Sequence, residues 1–325
     1  MIKKREPYLY IVAAAMGQGK THITKQDVIN NYVKGDLARG IPPKPVLILD
    51  TVGDPLYQKY KRIAIEDVRR FSVHPRPEVR RINIYKNVNG KSVLMNGQEI
   101  YKMIVYVLEN FYNGLLVLED FARVVGDALG NDIVGYIYTL RHRNSDIIIH
   151  FQGLGKCGHP KLLQTLSIMR LHKVTDGVDR HKNKFEEIYS QLKIAENIIN
   201  TDFRNANNLK LELKSKLNSY SLESAASFLN IEGLKINLLG VFSPQDLTYK
   251  SGYVYYNHLI GKVSGKFTEK QFDDAIDEYI TQNEKTELYP FINKKDSKGN
   301  KIYTYETALK ACRKNLKNEY CGNNF

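Results

Sequence analysis

The chain has 325 residues and is 42% hydrophobic, enough for a large core in one large or two modest domains. Its best apolar stretches, 8–16 and 147–151, are strand-length, so no bilayer-spanning helix is expected, and Lys3, Lys4 and Arg5 are not followed by the apolar run and small-residue cleavage site of a secretory leader. Three cysteines without metal-ligand spacing, Cys157, Cys312 and Cys321, fit a reducing compartment, while a net charge of +13 suits a polyanionic partner and equally suits a soluble basic protein from an AT-rich genome.

The first element is the clearest. Residues 8–13 form an apolar, partly β-branched strand that runs into Ala14-x-x-x-x-Gly19-Lys20-Thr21, followed by a helix from Thr21 to about Lys34 that Gly35 stops. This is the pattern of a phosphate-gripping loop. Gly17 and Gly19 let the backbone curl so that the amides of Ala15, Met16, Gly17, Gln18, Gly19, Lys20, Thr21 and His22 surround a phosphate chain. Lys20 carries charge to the β and γ phosphates, Thr21 offers a hydroxyl to Mg²⁺, and the helix adds its positive end. ATP with Mg²⁺ is therefore the expected cofactor pair. Ala14 replaces the usual first glycine.

A second strand, Pro45 to Asp50, follows. Arg69, Arg70, Arg76, Arg80 and Arg81 then surround the stretch at His74 to Pro77, ahead of a short strand at Ile82 to Tyr85 and a turn at Asn89-Gly90, a region that reads as an exposed excursion. Residues 97–113 pattern as a helix with Ile100, Met103, Ile104, Val107, Leu108 and Phe111 on one side. The strand Leu115-Leu-Val-Leu ends in Glu119-Asp120, carboxylates suited to a magnesium shell and to polarising a water, though an acidic loop after a core strand has the same look. A helix over 132–143 ends in Arg141-His142-Arg143. Those guanidinium groups either reach a neighbouring subunit's γ phosphate or complement their own helix terminus. The strand at 146–151 closes on Gln152, an amide that can bond both the attacking water and the γ phosphate, or simply end a strand in solvent.

A fifth strand at 168–174 completes an alternating β/α rhythm, which argues for a parallel sheet covered by helices on both faces, with ligand at the carboxyl ends of the strands. Beyond residue 178 the texture changes, dividing the chain into a core at 1–178 and a basic region at 179–325 of mixed helices and short strands. There, a helix is expected over 179–200, a polar Asn-rich stretch over 201–219, mixed short runs over 222–243, a strand over 253–257, a capped helix over 268–284, a hairpin over 289–305 around Gly299-Asn300, and a terminal basic helix over 306–320.

The stretch Leu140-Arg-His-Arg-Asn-Ser-Asp-Ile-Ile-Ile-His-Phe-Gln152 resembles the Arg-His, short turn, hydrophobic strand, Gln signature of the FtsK–HerA superfamily of DNA-pumping ATPases. Within it, the chain is similar to viral genome-packaging ATPases and to the Zot-like morphogenesis proteins of filamentous phages. The resemblance covers residues 7–175, and only the 140–152 stretch is specific to the family. It implies a RecA-like P-loop α/β fold with core strand order 5-1-4-3-2, a homo-oligomeric ring, pentamer or hexamer, with ATP at each interface, and DNA through its centre. It casts Lys20 and Thr21 as Walker A residues, Glu119 and Asp120 as Walker B, Gln152 as sensor, and Arg141 or Arg143 as the finger acting in trans. The family usually ends the Walker B strand Asp-Glu; here the order is reversed, with Glu119 on the metal side through water and Asp120 as base by position. The implied function is ATP-driven DNA translocation, most simply viral genome packaging at a capsid vertex, in host cytoplasm or on the virion. A Zot-like assembly or export ATPase and a small-molecule P-loop kinase are the alternatives.

Overall fold

The computed structural model describes residues 7–36, 42–51, 53–73, 76–120, 131–157, 160–219 and 253–322. Its centre is a nine-stranded sheet. In chain order the strands are β1 (Leu9–Ala13), β2 (Val46–Asp50), β3 (Lys61–Arg62), β4 (Val79–Asn83), β7 (Leu115–Glu119), β8 (Asp146–Phe151), β9 (Ile168–Leu171), β10 (Val254–Asn257) and β11 (Lys262–Gly265); β5 (Tyr85–Val88) and β6 (Lys91–Leu94) make a separate hairpin. Spatially the order is β11-β10-β9-β1-β8-β7-β2-β4-β3. The five strands β9-β1-β8-β7-β2 are all parallel and reproduce the 5-1-4-3-2 order, so this is a P-loop NTPase fold. Two further strands, β10 and β11, extend the sheet antiparallel beyond β9.

The central strands are apolar on both faces because both are covered. Val12, Ile48, Val117 and Ile148 pack towards the first helix, α1 (residues 20–34), together with Ile29 and Tyr57. The alternate positions, Ile11, Leu49, Leu118 and Ile149, join a larger core with helix α3 (Gly97–Asn110), helix α4 (Asn131–His142) and the C-terminal helices. Each β/α connection returns the chain to start the next parallel strand, so the carboxyl tips of the parallel strands lie on one rim of the sheet.

Several boundaries differ from the sequence-based expectation. The helix expected over 179–200 begins as 3₁₀ turns, Val178–Lys184 and Glu186–Ile188, because His181 leaves helical geometry (φ −121°, ψ 19°). The α-helix α7 then runs from Tyr189 to Ser219 and takes in the polar, Asn-rich stretch. The hairpin expected over 289–305 is instead a helical turn, Tyr289–Ile292, with a proline in its first turn, followed by a loop closed by one bridge, Lys295 to Lys301. There the Asp296 carboxylate accepts the amides of Lys298 and Asn300, an Asx-type turn that competes with strand pairing. The strand expected at 82–85 is shifted to Val79–Asn83, and Asn89-Gly90 forms the tip of the β5–β6 hairpin with positive φ at both residues (51° and 80°), the signature of a type I′ turn. The mixed runs expected over 222–243, the N-terminal basic residues 3–5, and His74 and Pro75 lie outside the described residues.

Among the described residues, no helix is long and apolar enough to cross a membrane. The capped helix is present as α8 (Glu269–Gln282), with Thr268 and Gln271 exchanging the two bonds of a capping box, and the terminal helix as α11 (Tyr305–Tyr320).

Candidate active site

The loop after β1 is pinned to its neighbours. The Ala14 amide donates to the Phe151 carbonyl (3.1 Å) and the Ala15 amide to the Lys173 carbonyl (2.9 Å), so the phosphate loop hangs between β8 and the end of β9. Gly17 (φ 79°) and Gly19 (φ 76°) are left-handed, and a Cβ built on either would meet nothing within 4 Å. Glycine is required there by backbone conformation rather than by crowding. Helix α1 begins at Lys20, with Gly19 as its N-cap, and its middle segment, Thr24–Ile29, is wound as a π-helix. Gly35 (φ 66°) ends it, as expected.

Five side chains meet at the strand tips. Lys20, buried, forms an ion pair with Asp120 Oδ1 and lies 3.9 Å from Glu119 Oε1. Thr21 Oγ1 donates to Glu119 Oε1 (3.2 Å), and Gln152 Nε2 donates to Asp120 Oδ2 (2.9 Å). Adjacent residues on a strand face opposite ways, yet both carboxylates reach the same lysine. The reason is local. Glu119 shares the α1-facing parity of Leu115 and Val117, while β7 ends there and Asp120, at φ 42°, turns the chain back towards the loop. Met16, by contrast, projects into solvent at 84% exposure.

Glu119 carries a second set of partners that motif reading did not single out. Tyr57 donates its hydroxyl to Oε2 (2.9 Å), and His150 Nδ1 sits 2.7 Å from the same oxygen, at ion-pair distance but off the line of a good hydrogen bond. Burial alone would raise this carboxyl, but His150, Lys20 and the Tyr57 hydroxyl outweigh it and bring the pKa down to about 2. Tyr57 shows the reciprocal effect: burial, and then the Glu119 charge, push its phenol well above the usual range. His150 Nε2 lies 2.8 Å from Thr24 Oγ1, and Arg170, itself buried, donates to Thr24 Oγ1 (2.5 Å) and to the Lys20 carbonyl (2.9 Å). A continuous polar chain thus runs from β9 through the π segment and β8 to Glu119.

His150 was visible as the lone ionisable residue in the run Ile-Ile-Ile-His-Phe. Tyr57 had no sequence signal, because it is brought in by a 3₁₀ turn (Pro55–Tyr57) after β2. That turn is set by Asp50, whose Oδ1 accepts the amides of Gly53 (2.8 Å) and Asp54 (3.1 Å), and by Asp54, which caps Leu56.

Gln152 also sits on a braced loop. The Asp176 carboxylate accepts the amides of Leu154 (3.0 Å) and Gly155 (2.8 Å), and His181 Nε2 approaches it at 3.1 Å. A Cβ on Gly153 would stand 2.9 Å from that carboxylate, so the glycine is needed for close approach.

The arginines are elsewhere. Arg143 donates to the Leu108 and Glu109 carbonyls at the end of α3 and, with Arg69 and His142, lines a groove of about 450 Å³ on the amino rim of the sheet. The Arg141 side chain lies outside the described residues. Within one chain, Arg143 and Lys20 are on opposite rims.

Hard oxygen donors suit Mg²⁺, and the Thr21 hydroxyl beside a buried, ionised Glu119 carboxylate is such a pair. Together with the left-handed glycines and Lys20, the arrangement can cradle a triphosphate and hold a water in line with it.

No family model and no curated protein matches the sequence. Among solved structures, the chain is similar to the genome packaging NTPase from Sulfolobus turreted icosahedral virus 2 in complex with sulfate, at 11% identity over 80% of this chain and 96% of that one, with a TM-score of 0.42. It is also similar to the pCW3 conjugation coupling protein TcpA (10% identity, 55% and 51% covered, TM-score 0.34) and to the N-terminal domain of zonular occludens toxin from Neisseria meningitidis (13%, 53% and 80%, 0.28).

Proposed function

We propose that this chain is an ATP hydrolase that uses the free energy of hydrolysis to move DNA, as the packaging motor of a viral genome working in a ring of identical copies. The observation that carries the hydrolase reading is the convergence of Lys20, Thr21, Glu119, Asp120 and Gln152 on one rim, from the tips of adjacent strands. The motor reading draws on the FtsK–HerA-like stretch 140–152 and on the basic charge.

In this reading the backbone amides of Gly17 to Thr21 and the Lys20 ammonium bind the phosphates. Lys20 leaves Asp120 to do so, which frees that carboxylate to accept a proton from the attacking water. Thr21 and, through water, Glu119 would hold Mg²⁺, which would supply charge neutralisation at the phosphates. Glu119, gripped by Tyr57 and His150 and kept ionised, orients rather than abstracts; Gln152 bridges Asp120 and the water position and so responds to the terminal phosphate.

ATP turnover measured with and without long DNA, at two salt concentrations, tests the reading. Stimulation by DNA that fades as salt rises is expected. A protein that ignores DNA and phosphorylates a small acceptor is a kinase instead, and a Lys20→Ala variant that hydrolyses ATP like the parent removes the phosphate loop from the reaction altogether.

A further inference from the structure

The chain's positive charge is unevenly placed. Residues 59–91 hold ten Lys and Arg against three Asp and Glu, a net +7 of the whole chain's +13, whereas residues 253–322 hold twelve against ten. On the terminal helix three of the four cations are paired in place: Arg313 with Asp277, Lys317 with Glu269 and Asp273, and Lys310 with Glu306. The terminal basic helix is therefore a poor polyanion surface, despite its composition.

The 59–91 segment builds the outer end of the sheet: β3 as the edge strand, α2 (Val68–Val73), β4, and the β5–β6 hairpin. Arg80 and Lys86 are paired with Glu78 and Glu99, and Arg81 is buried against Asp50. Lys61, Arg62, Arg69, Arg70, Arg76 and Lys91 are all exposed and have no carboxylate at ion-pair distance among the described residues. Such cations are hydrated and surrounded by counterions that a phosphate chain can displace. The hairpin beside them exposes Tyr85 (44%), a flat ring on which a base can stack, together with the aliphatic Val93 (41%) and Leu94 (55%), next to positive charge that can hold the phosphate backbone. Arg62 and Tyr85 share one groove of about 630 Å³ with Lys86 and Asn87.

This end is also wired to the nucleotide rim. From Tyr57, whose hydroxyl is on Glu119, the chain runs four residues to Lys61, and Arg81 fixes that strap by donating to the Tyr60 carbonyl (3.0 Å). The groove opens at the carboxyl end of β4, on the rim that carries the phosphate loop and four strands away from β1, about 19 Å.

We propose that the outer end of the sheet, made by β3, α2 and the β5–β6 hairpin, is a binding surface for the phosphate backbone of a nucleic acid. The choice of nucleic acid over another polyanion rests on the motor reading; the location does not. The test compares the full chain with a Lys61→Ala/Arg62→Ala/Lys91→Ala variant and with a charge-matched control, Lys298→Ala/Lys310→Ala/Lys314→Ala. Binding of labelled single- and double-stranded DNA is measured by fluorescence anisotropy across a salt series, without nucleotide. The expected result is at least tenfold weaker binding by the first variant at low salt, with a log–log salt slope reduced by about 2 to 3, and a control within twofold of the parent. Thermal melting and DNA-free ATP turnover should match the parent in both. Equal binding by the two variants overturns the surface and leaves the motor reading standing. A parent that binds no DNA overturns both, while its Lys20-dependent turnover reports separately on the hydrolase. Polyglutamate that displaces DNA charge for charge marks the surface as one for an acidic protein, and also overturns the proposal.

Discussion

Tyr57 and His150 hold one oxygen of Glu119 from two different elements, and that division of labour is testable side chain by side chain. Tyr57→Phe keeps the ring and removes only the donor, leaving a buried carboxylate one bond short. A loss of about 1–3 kcal/mol in urea-melt stability is expected. ATP turnover should fall while the affinity for nucleotide measured without Mg²⁺ stays near the parent's. A variant as stable and as active as the parent would mean that the hydroxyl does not position Glu119. Asp176 offers a pH-resolved case. Burial opposes its ionisation, but the Leu154 and Gly155 amides and His181 win, and its pKa lies below the ordinary carboxylate value. A carboxyl lowered in the folded state contributes stability above its unfolded pKa and loses it as pH falls through the folded one. Asp176→Ala should therefore destabilise by about 1 kcal/mol at neutral pH, as loss of a helix cap does, with the gap to the parent closing below about pH 4. A gap that persists into acid assigns the effect to packing instead.

At the scale of elements, the turn after β1 was legible because its geometry is written in glycine, Gly17 and Gly19 both being left-handed. Gly19→Ala meets no steric obstacle and pays only for its left-handed backbone, about 1 kcal/mol in stability. Its effect on nucleotide affinity should be larger than that, since the amides that face the phosphates would tilt. Equal losses in both would make the loop merely a turn. The core strands were equally legible, since Val46–Asp50, Leu115–Glu119 and Asp146–Phe151 are apolar runs buried on both faces. What escaped the sequence was set by tertiary contact. Residues 201–219 read in sequence as a polar, Asn-rich stretch, yet they continue α7, whose N-terminal part is buried against α8. Residues 289–305 carry a hairpin's turn signal, yet Asp296 and Pro290 commit them to local turns. In the candidate site, Lys20, Thr21, Glu119, Asp120 and Gln152 came from motif spacing; Tyr57 did not, because it lies in a turn with no pattern of its own, and Arg170, though an ionisable residue within the apolar strand β9, belongs to no motif.

For the molecule as a whole, the sheet itself constrains where the arginines act. Parallel strands place all their carboxyl tips on one rim, and Arg143, which precedes β8, is held on the other, against the end of α3. Five residues of strand span about 17 Å, too far for a guanidinium to reach the phosphates of its own chain. If Arg143 neutralises transition-state charge, it does so on a neighbouring copy's nucleotide. Lys20→Ala should abolish nucleotide binding in its own loop while leaving its arginines intact, and Arg143→Ala should do the reverse. Each variant alone should turn over ATP at least a hundredfold more slowly than the parent, as removal of an arginine finger does elsewhere. Mixed at equal concentration, they should recover a measurable fraction of parental turnover, because some interfaces then pair an intact loop with an intact arginine. The recovery should grow with total protein concentration as copies associate. The same mixing with Arg141→Ala in place of Arg143→Ala identifies which arginine is used. If neither mixture regains turnover while both variants still assemble with the parent by sedimentation, the arginines serve their own helix terminus and catalysis is completed within a single chain.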